Sequence, residues 1–204
     1  MRALKSPFKP AAQVIEDLRE YERIAGFVEI ARRALANNAF DGVLTTIGLL
    51  MGSYLSDIRN AGTVIRTGVA TSIAMGVSGL WGAYLAESAE RGRDLAELEQ
   101  ISMTDLSQTK IGRASRVAVI VVSVVDGLAP LGSSIIVLIP MFVARATGAV
   151  TLAYLLSMIV ALVALFALGM FLGRTSGAGM VRYGVRTVIA GVVSILLSFL
   201  LGAE

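Results

Sequence analysis

Residues 37–55 read NNAFDGVLTTIGLLMGSYL, an apolar segment that carries a carboxylate, Asp41, close to its start. An ionisable side chain is expensive to place in or beside the hydrocarbon of a membrane, so it calls for a partner, a cation or a proton. The segment therefore predicts a short membrane span. Asn37, Asn38 and Asp41 indicate that its polar entrance packs against protein rather than lipid.

The composition of the whole chain agrees with a membrane protein. Hydrophobic residues make up 55% and charged residues 16% of the sequence, whereas soluble domains carry roughly 25% charge. The apolar residues also fall into blocks whose length is close to that of a transmembrane helix, which needs about 20 residues to cross a bilayer. We predict an all-α integral protein of the cell membrane with five transmembrane helices, at 39–55, 64–86, 117–144, 148–172 and 185–201.

The N-terminal region differs from the rest of the chain in its pattern. Residues 1–10 read as a basic leader, and residues 11–36 repeat apolar side chains at helical spacing opposite charged ones, which is typical of an amphipathic helix. Such a helix lies on the membrane surface or packs against other helices, and a solvated packing helix fits equally well. No cleavable signal peptide is expected.

The domain prediction follows from these patterns. Residues 1–38 form a cytosolic leader and amphipathic helix, residues 39–202 form the five-span domain, and residues 87–116 form a cytosolic acidic helical loop within it.

Charge placement predicts the orientation. Fifteen of the 18 Lys and Arg residues lie in the N-terminal arm, in the 87–116 loop or after the fourth span. The other three are Arg59, Arg66 and Arg145. Because positive residues favour the cytosolic side, the N-terminus is predicted to be cytosolic, and the net charge of +3 gives no reason to expect nucleic-acid binding.

The sequence contains no Cys and no His. Disulfides, thiolate metal sites and the common Cys/His and Ser/His nucleophile pairs are therefore excluded. A membrane enzyme is the least favoured class, and no catalytic residue or resident cofactor is predicted. Binding chemistry must use carboxylates, thioethers, hydroxyls or carbonyls.

The predicted third span carries a second carboxylate, Asp126. It lies about 13 Å along a helix that starts at residue 117, which is close to the membrane midplane. Pro130 and Pro140 predict that this helix is kinked or unwound. A structural carboxylate bonded to a neighbouring Ser or Thr is the alternative to a functional one.

Asp-Gly occurs in both the first and the third span, at Asp41-Gly42 and Asp126-Gly127. Both helices are predicted to run outward from the cytosol. Two buried carboxylates in parallel helices can bind one cation between them, or one can bind it while the other carries a proton.

The predicted cytosolic loop contains four carboxylates at helical offsets of three and four, which places them on one face. Such a face offers oxygen ligands to a divalent cation. A solvated face with ion pairs to Arg91 and Arg93 is the more frequent explanation. The four residues are Glu87, Glu90, Asp94 and Glu97.

The segment Phe40-Asp41-Gly42-Val43-Leu44-Thr45-Thr46-Ile47-Gly48 resembles the first-span motif D-G-[LIV]-x-[ST]-x-x-G of the vacuolar iron transporter family. Residues 82–91, GAYLAESAER, are similar to that family's second-span ending, S-M-A-x-G-E-Y-x-S-x-x-S-[QE]-[RK]. Ala129-Pro130, Leu138-Ile139-Pro140 and residues 186–202 also follow its later spans. The resemblance covers most of residues 40–202.

The resemblance implies a five-span homodimer that moves Fe(II) or Mn(II) out of the cytosol in exchange for protons. Asp41 matches the family's first-span metal carboxylate, but the family's second-span Met and Glu fall at Gly79 and Ala83. Met75 and Glu87 lie one turn away on the same helix face and are predicted to substitute.

The family's plant members have a larger cytosolic metal-binding domain than residues 87–116 allow, so the acidic face would be a reduced version of it. Asp126 lies outside the family pattern and would supply a compensating carboxylate.

These observations predict a divalent metal transporter that exports Fe(II) or Mn(II) by proton antiport, with metal ions, protons, membrane lipid and a second copy as partners. The alternative is a non-transporting membrane scaffold or partner-binding subunit that keeps the family fold. The predicted metal-site residues are Asp41, Met75, Glu87, Asp126, Glu90, Asp94 and Glu97.

Overall fold

A computed structural model describes residues 11–177 and 179–202. Over these ranges the chain forms α-helices and no strand, which confirms the all-α prediction. The predicted basic leader at 1–10 lies outside the described residues. The helices are α1 (Ala11–Ala25), α2 (Phe27–Leu55), α3 (Ala61–Ser102), α4 (Lys110–Thr147), α5 (Val150–Thr175) and α6 (Met180–Leu201).

Four of these helices, α3 to α6, are long and apolar enough to cross a membrane, which indicates a membrane protein. They correspond to the second to fifth predicted spans. The helix that contains the first predicted span, α2, is not among the four. Its apolar part is short, and Asn37, Asn38 and Asp41 at the start of that part lower its hydropathy.

The helices continue beyond the predicted spans. α3 runs to Ser102, so the first half of the predicted 87–116 loop is a continuation of a membrane helix. The Ala, Glu, Leu and Arg residues of this stretch are strong helix formers in water as well as in lipid. A short connection at 103–109 leads to α4, whose first turn is capped by Thr109.

The predicted N-terminal helix at 11–36 is divided at Gly26. This residue adopts a left-handed conformation, with φ 58° and ψ 30°, which glycine reaches without steric cost. Its N–H donates to the carbonyl oxygen of Glu22 at 2.8 Å, as at a helix C-terminus. The predicted boundary at 38/39 consequently falls inside α2.

The first helix packs against α4 rather than standing alone. The ammonium of Lys110 and the carboxylate of Glu20 form an ion pair at 2.6 Å. Just beyond α1, Phe27 at the start of α2 is buried together with Ala118 and Val122 of α4.

The centre of the fold is α4, which contacts α1, α2, α3 and α5. It is helical through both Pro130 and Pro140, so the unwound alternative is wrong. The main core lies between α2, α4 and α5, where the largest fully buried side chains include Ile47, Leu50, Leu138, Met141 and Leu165. Packing with α3 is close because glycines meet: a Cβ on Gly76 would lie 3.1 Å from the carbonyl oxygen of Gly127.

Candidate functional site

Polar groups lie where α2 and α4 touch, at a contact that we call the α2–α4 seam. Its members are the side chains of Asn38, Thr46, Asp126 and Ser134 and the main-chain carbonyl of Gly42. At one end, the Asn38 amide Nδ2 donates to Asp126 Oδ1 at 2.6 Å and to the carbonyl oxygen of Ala34 at 3.0 Å. Both side chains are partly buried. The carboxylate of Asp126 is therefore held by a neutral donor from a neighbouring helix.

Further along the seam, the helices approach through a glycine. The Gly42 carbonyl oxygen accepts hydrogen bonds from the Thr46 hydroxyl at 2.8 Å and the Ser134 hydroxyl at 3.0 Å. A Cβ at Gly42 would lie 2.6 Å from the carbonyl oxygen of Pro130, so only glycine permits this spacing. The register that brings Asn38 to Asp126 depends on this contact.

Asp126 offers a second oxygen atom besides its carboxylate. Pro130 stands four residues later and has no N–H, so the main-chain carbonyl of Asp126 lacks its helical donor. This oxygen faces α3, because a Cβ at Gly79 would lie 2.8 Å from it. A carboxylate and a carbonyl relieved of its helical bond thus come from the same residue.

No basic side chain neutralises Asp126 in the part of the chain that the structure describes. The nearby acid that interacts with it electrostatically is Glu87, which adds repulsion. An intramembrane carboxylate with a neutral partner retains its affinity for a proton or a cation.

Asp41 lies one turn after Asn38 on α2 and is exposed. Within residues 11–177 and 179–202 its carboxylate has no hydrogen bond or ion pair. Residues three apart on a helix are surface neighbours, so Asp41 adjoins the seam without being part of it.

Glu87, which is predicted to replace a metal ligand, forms an ion pair with Arg91 in the structure. Its Oε2 accepts from Arg91 Nε at 2.9 Å, and the two side chains are only 15% and 14% exposed. Arg91 Nη1 also lies 3.4 Å from the carbonyl oxygen of Ala25. The Glu87 charge is thus cancelled by an arginine that also joins α3 to the end of α1.

The remaining predicted ligands lie apart from the seam. Glu90, Asp94 and Glu97 are exposed on the part of α3 that continues beyond the predicted span. Met75 is partly buried in α3, a helix that packs mainly on α4 and hardly on α2. Among the described residues, no three acidic side chains lie close enough together to hold a metal ion.

Neither Asn38 as the partner of Asp126 nor the free main-chain carbonyl of Asp126 was predicted from the sequence. Two signals were present: Asn38 stands three residues before Asp41, and Asp126 stands four residues before a proline.

Comparison with known proteins leaves the family open. No model of a known protein family, no curated protein and no solved structure matches the chain. The resemblance of residues 40–48 to the vacuolar iron transporters therefore remains a prediction.

Proposed function

We propose that the chain is a multi-pass membrane transporter that exports a divalent metal cation, Fe(II) or Mn(II), from the cytosol in exchange for protons. One observation carries the proposal: Asp126, within an apolar helix, is held by the neutral amide of Asn38 at 2.6 Å and by no cationic side chain among the described residues. Intramembrane carboxylates of this kind mark ion and proton pathways.

The exchange follows from the chemistry of one carboxylate. Asp126 must lose its proton before its oxygens bind a metal, so proton and cation compete for the same atoms. Asn38 can form a hydrogen bond to Asp126 both as a carboxylate and as a carboxylic acid, because its amide has donors on nitrogen and an acceptor on oxygen. A half-turn of the amide about the Cβ–Cγ bond of Asn38 exchanges Nδ2 and Oδ1, so the same side chain donates to the carboxylate or accepts from the carboxylic acid.

The ligands available near Asp126 are oxygen atoms. The seam offers the Asp126 carboxylate and the Asn38 amide oxygen, and Asp41 lies one turn along α2. The main-chain carbonyl of Asp126 is a further oxygen, on the side of α4 that faces α3. Oxygen ligands suit Mn(II), and the resemblance of residues 40–48 favours Fe(II) or Mn(II) as the substrate. In this proposal Asp41 joins the seam in a second conformation of α2, as the cation passes.

The proposal includes five spans, with α2 as the first. This helix has 29 residues and is about 43 Å long at 1.5 Å per residue, which exceeds the roughly 30 Å of hydrocarbon. Its packing against α4, α5 and α6 accommodates the partly buried Asn38 and the buried Thr46, whereas Asn37 and Asp41 are exposed. The exposed apolar residues Ile15, Leu18 and Ile24 of α1 support a position at the membrane surface.

A homodimer is also part of the proposal. The outer faces of α3 and α6 are apolar and exposed, for example at Val77, Trp81, Ile189 and Leu196. Such faces contact lipid or a second copy.

Proteoliposomes test the transport directly. The purified protein is reconstituted with a trapped pH dye, and Mn(II) or Fe(II) is added to one side. We expect metal-stimulated proton flux that is lost in Asp41→Asn and kept in Asp105→Asn, which removes an exposed carboxylate of the 103–109 connection. A wild-type protein that binds either metal without proton flux, or an Asp41→Asn variant with normal transport, contradicts the proposal.

The second candidate function is a non-transporting membrane scaffold. It is favoured by the scattered positions of the predicted ligands, since no three acids converge among the described residues and Glu87 is paired with Arg91. The Asn38–Asp126 bond would then only join two helices. Calorimetry in detergent separates the candidates: the transporter binds Mn(II) and loses binding in Asp126→Asn, whereas the scaffold binds no divalent ion.

A further inference from the structure

The three basic residues at the predicted outer end of the protein lie together. Arg59, Arg66 and Arg145 line one cavity of about 450 Å³, which we call the arginine cavity. It lies where the connection between α2 and α3 meets the connection between α4 and α5, beside Asn60 and Gly148. The other 15 Lys and Arg residues belong to segments predicted to be cytosolic.

The positive charge of the arginine cavity is only partly compensated. Asp57 forms an ion pair with Arg59 at 2.6 Å and is the one acid in the sequence of the two connections that meet at the cavity. Arg66 Nε donates to the carbonyl oxygen of Gly62 at 3.2 Å, and Arg145 has no ion pair among the described residues. Two guanidinium groups thus share a cavity without a counterion from the described residues.

This arrangement disfavours the empty cavity and favours a bound anion. Like charges repel across a shared cavity, and basic residues are depleted on the outer side of membrane proteins. The first turn of α3 also begins at the cavity, with Ala61 and Gly62 in its lining, and its free N–H groups favour negative charge.

A second cavity adjoins the first and is apolar. It measures about 630 Å³ and is lined by Met51, Tyr54, Leu152, Leu155 and Met158 among others. Two contacts of Arg59 join the cavities: its Nη1 lies 3.0 Å from the Thr151 hydroxyl, and its guanidinium stacks 5.8 Å from the centre of the Tyr54 ring. Thr151 and Tyr54 both line the apolar cavity.

The wall between the cavities is fixed in position. Tyr54 and Tyr154 meet edge to face with 5.4 Å between ring centres, and the Tyr154 hydroxyl donates to the carbonyl oxygen of Ile58 at 2.8 Å. Tyrosines at this depth are typical of the membrane–water interface, which is the level of lipid headgroups.

We propose that the two cavities bind one anionic phospholipid, with its phosphate between Arg66 and Arg145 and an acyl chain against Met51 and Met158. Guanidinium groups match phosphate oxygens in bidentate geometry. A soluble phosphate would use the arginine cavity alone, whereas a lipid uses both. The inference is independent of the proposed transport.

Native mass spectrometry of the full chain in detergent tests the proposal, with phosphatidylglycerol as the anionic probe and phosphatidylcholine as the neutral one. We expect wild-type protein to prefer phosphatidylglycerol. The R66Q/R145Q variant should bind it more weakly by roughly tenfold for each arginine, the size of a lost charge-assisted hydrogen bond. The matched control R174Q/R182Q removes two exposed cytosolic arginines and should change binding less than twofold.

A second variant tests the apolar half. Met158→Trp fills the apolar cavity, so it should weaken phosphatidylglycerol binding several-fold while leaving competition by inorganic phosphate unchanged. Since Arg66 and Arg145 are exposed, their replacement should leave the melting temperature unchanged, and R145Q alone serves as the test if the double variant cannot be purified.

Three results overturn the proposal. In the first, R66Q/R145Q binds phosphatidylglycerol as wild type does. In the second, inorganic phosphate binds as tightly as the lipid, which identifies a soluble anion as the ligand. In the third, Met158→Trp leaves lipid affinity unchanged, which removes the acyl chain from the apolar cavity.

Discussion

Asp126 and Glu87 carry carboxylates on the neighbouring helices α4 and α3. The partner of Asp126 is a neutral amide, whereas the partner of Glu87 is a cation. The carboxylate of Asp126 accepts from the neutral amide of Asn38 at 2.6 Å, and that of Glu87 accepts from the cationic Arg91 at 2.9 Å. A neutral donor orients a carboxylate without cancelling its charge, whereas a guanidinium does both. The charge of Asp126 is therefore left to be balanced by a proton or a cation, whereas the charge of Glu87 is balanced by Arg91 in a structural ion pair.

The largest expected difference between the two acids is in transport. Asp126→Asn keeps the size of the side chain but removes its charge and exchangeable proton, so we expect metal-stimulated proton flux to fall by roughly 100-fold or more, as for the loss of about 3 kcal/mol. Glu87→Gln should reduce flux less than threefold. Flux in reconstituted vesicles, normalised to the amount of inserted protein, measures both. Equal losses in the two variants would show that the distinction between the acids is wrong.

The second prediction concerns the contact between Gly42 and Pro130, which sets the distance between α2 and α4 at the seam. Gly42→Ala places a Cβ about 2.6 Å from the carbonyl oxygen of Pro130, which forces α2 away from α4. We expect a loss of roughly 1–3 kcal/mol in the free energy of unfolding together with weaker transport, because Asn38 moves from Asp126. Gly48→Ala is the control, since a Cβ there meets nothing within 4 Å. Unfolding in detergent followed by circular dichroism measures both variants, and equal stabilities would contradict this account of the helix spacing.

The third prediction concerns the ion pair. Arg91→Gln leaves the Glu87 carboxylate largely buried without its cation, and we expect a loss of roughly 1–3 kcal/mol, below the 3–5 kcal/mol of a fully buried pair because some exposure remains. Arg93→Gln removes an exposed neighbour and should change stability by less than about 0.5 kcal/mol. The thermal midpoints of the two variants are compared in one detergent. If they coincide, Glu87 is not held by Arg91 in the way described.

The smallest expected effect is that of removing the Asn38 amide, which is the neutral donor to Asp126. Asn38→Ala removes one hydrogen bond between helices, which is worth roughly 0.6–1.7 kcal/mol in membrane proteins. Asn37→Ala is its matched control, because Asn37 is exposed while Asn38 is partly buried. The same unfolding measurement applies, and the pH dependence of flux should shift in Asn38→Ala only. A variant with wild-type stability and an unshifted profile would remove Asn38 from the site.

Sequence patterns predicted the helices well and their ends poorly. Hydropathy marks where the chain leaves the membrane, but the backbone of α3 continues to Ser102 because residues 87–102 favour helix on their own. The break at Gly26 was missed because a single glycine hardly disturbs an amphipathic pattern, although its left-handed φ ends α1.

The candidate site was predicted in part. The placement of Asp126 inside an apolar helix follows from its spacing along the chain alone. Its partner does not, because the register between α2 and α4 depends on the contact of Gly42 with Pro130, and this contact involves residues far apart in sequence. The alternative to a functional Asp126 was a structural carboxylate bonded to a neighbouring Ser or Thr; its partner is Asn38, and the hydroxyls of Ser134 and Thr46 bond the Gly42 carbonyl.

The length of α3 has a mechanical consequence. It is one uninterrupted helix of 42 residues, so at 1.5 Å per residue it measures about 63 Å, roughly twice the hydrocarbon thickness. Its second half is a lever: a tilt of about 10° near Asp126 displaces a tip about 30 Å away by about 5 Å. The acidic face of this half would therefore report small tilts near Asp126 to whatever contacts it.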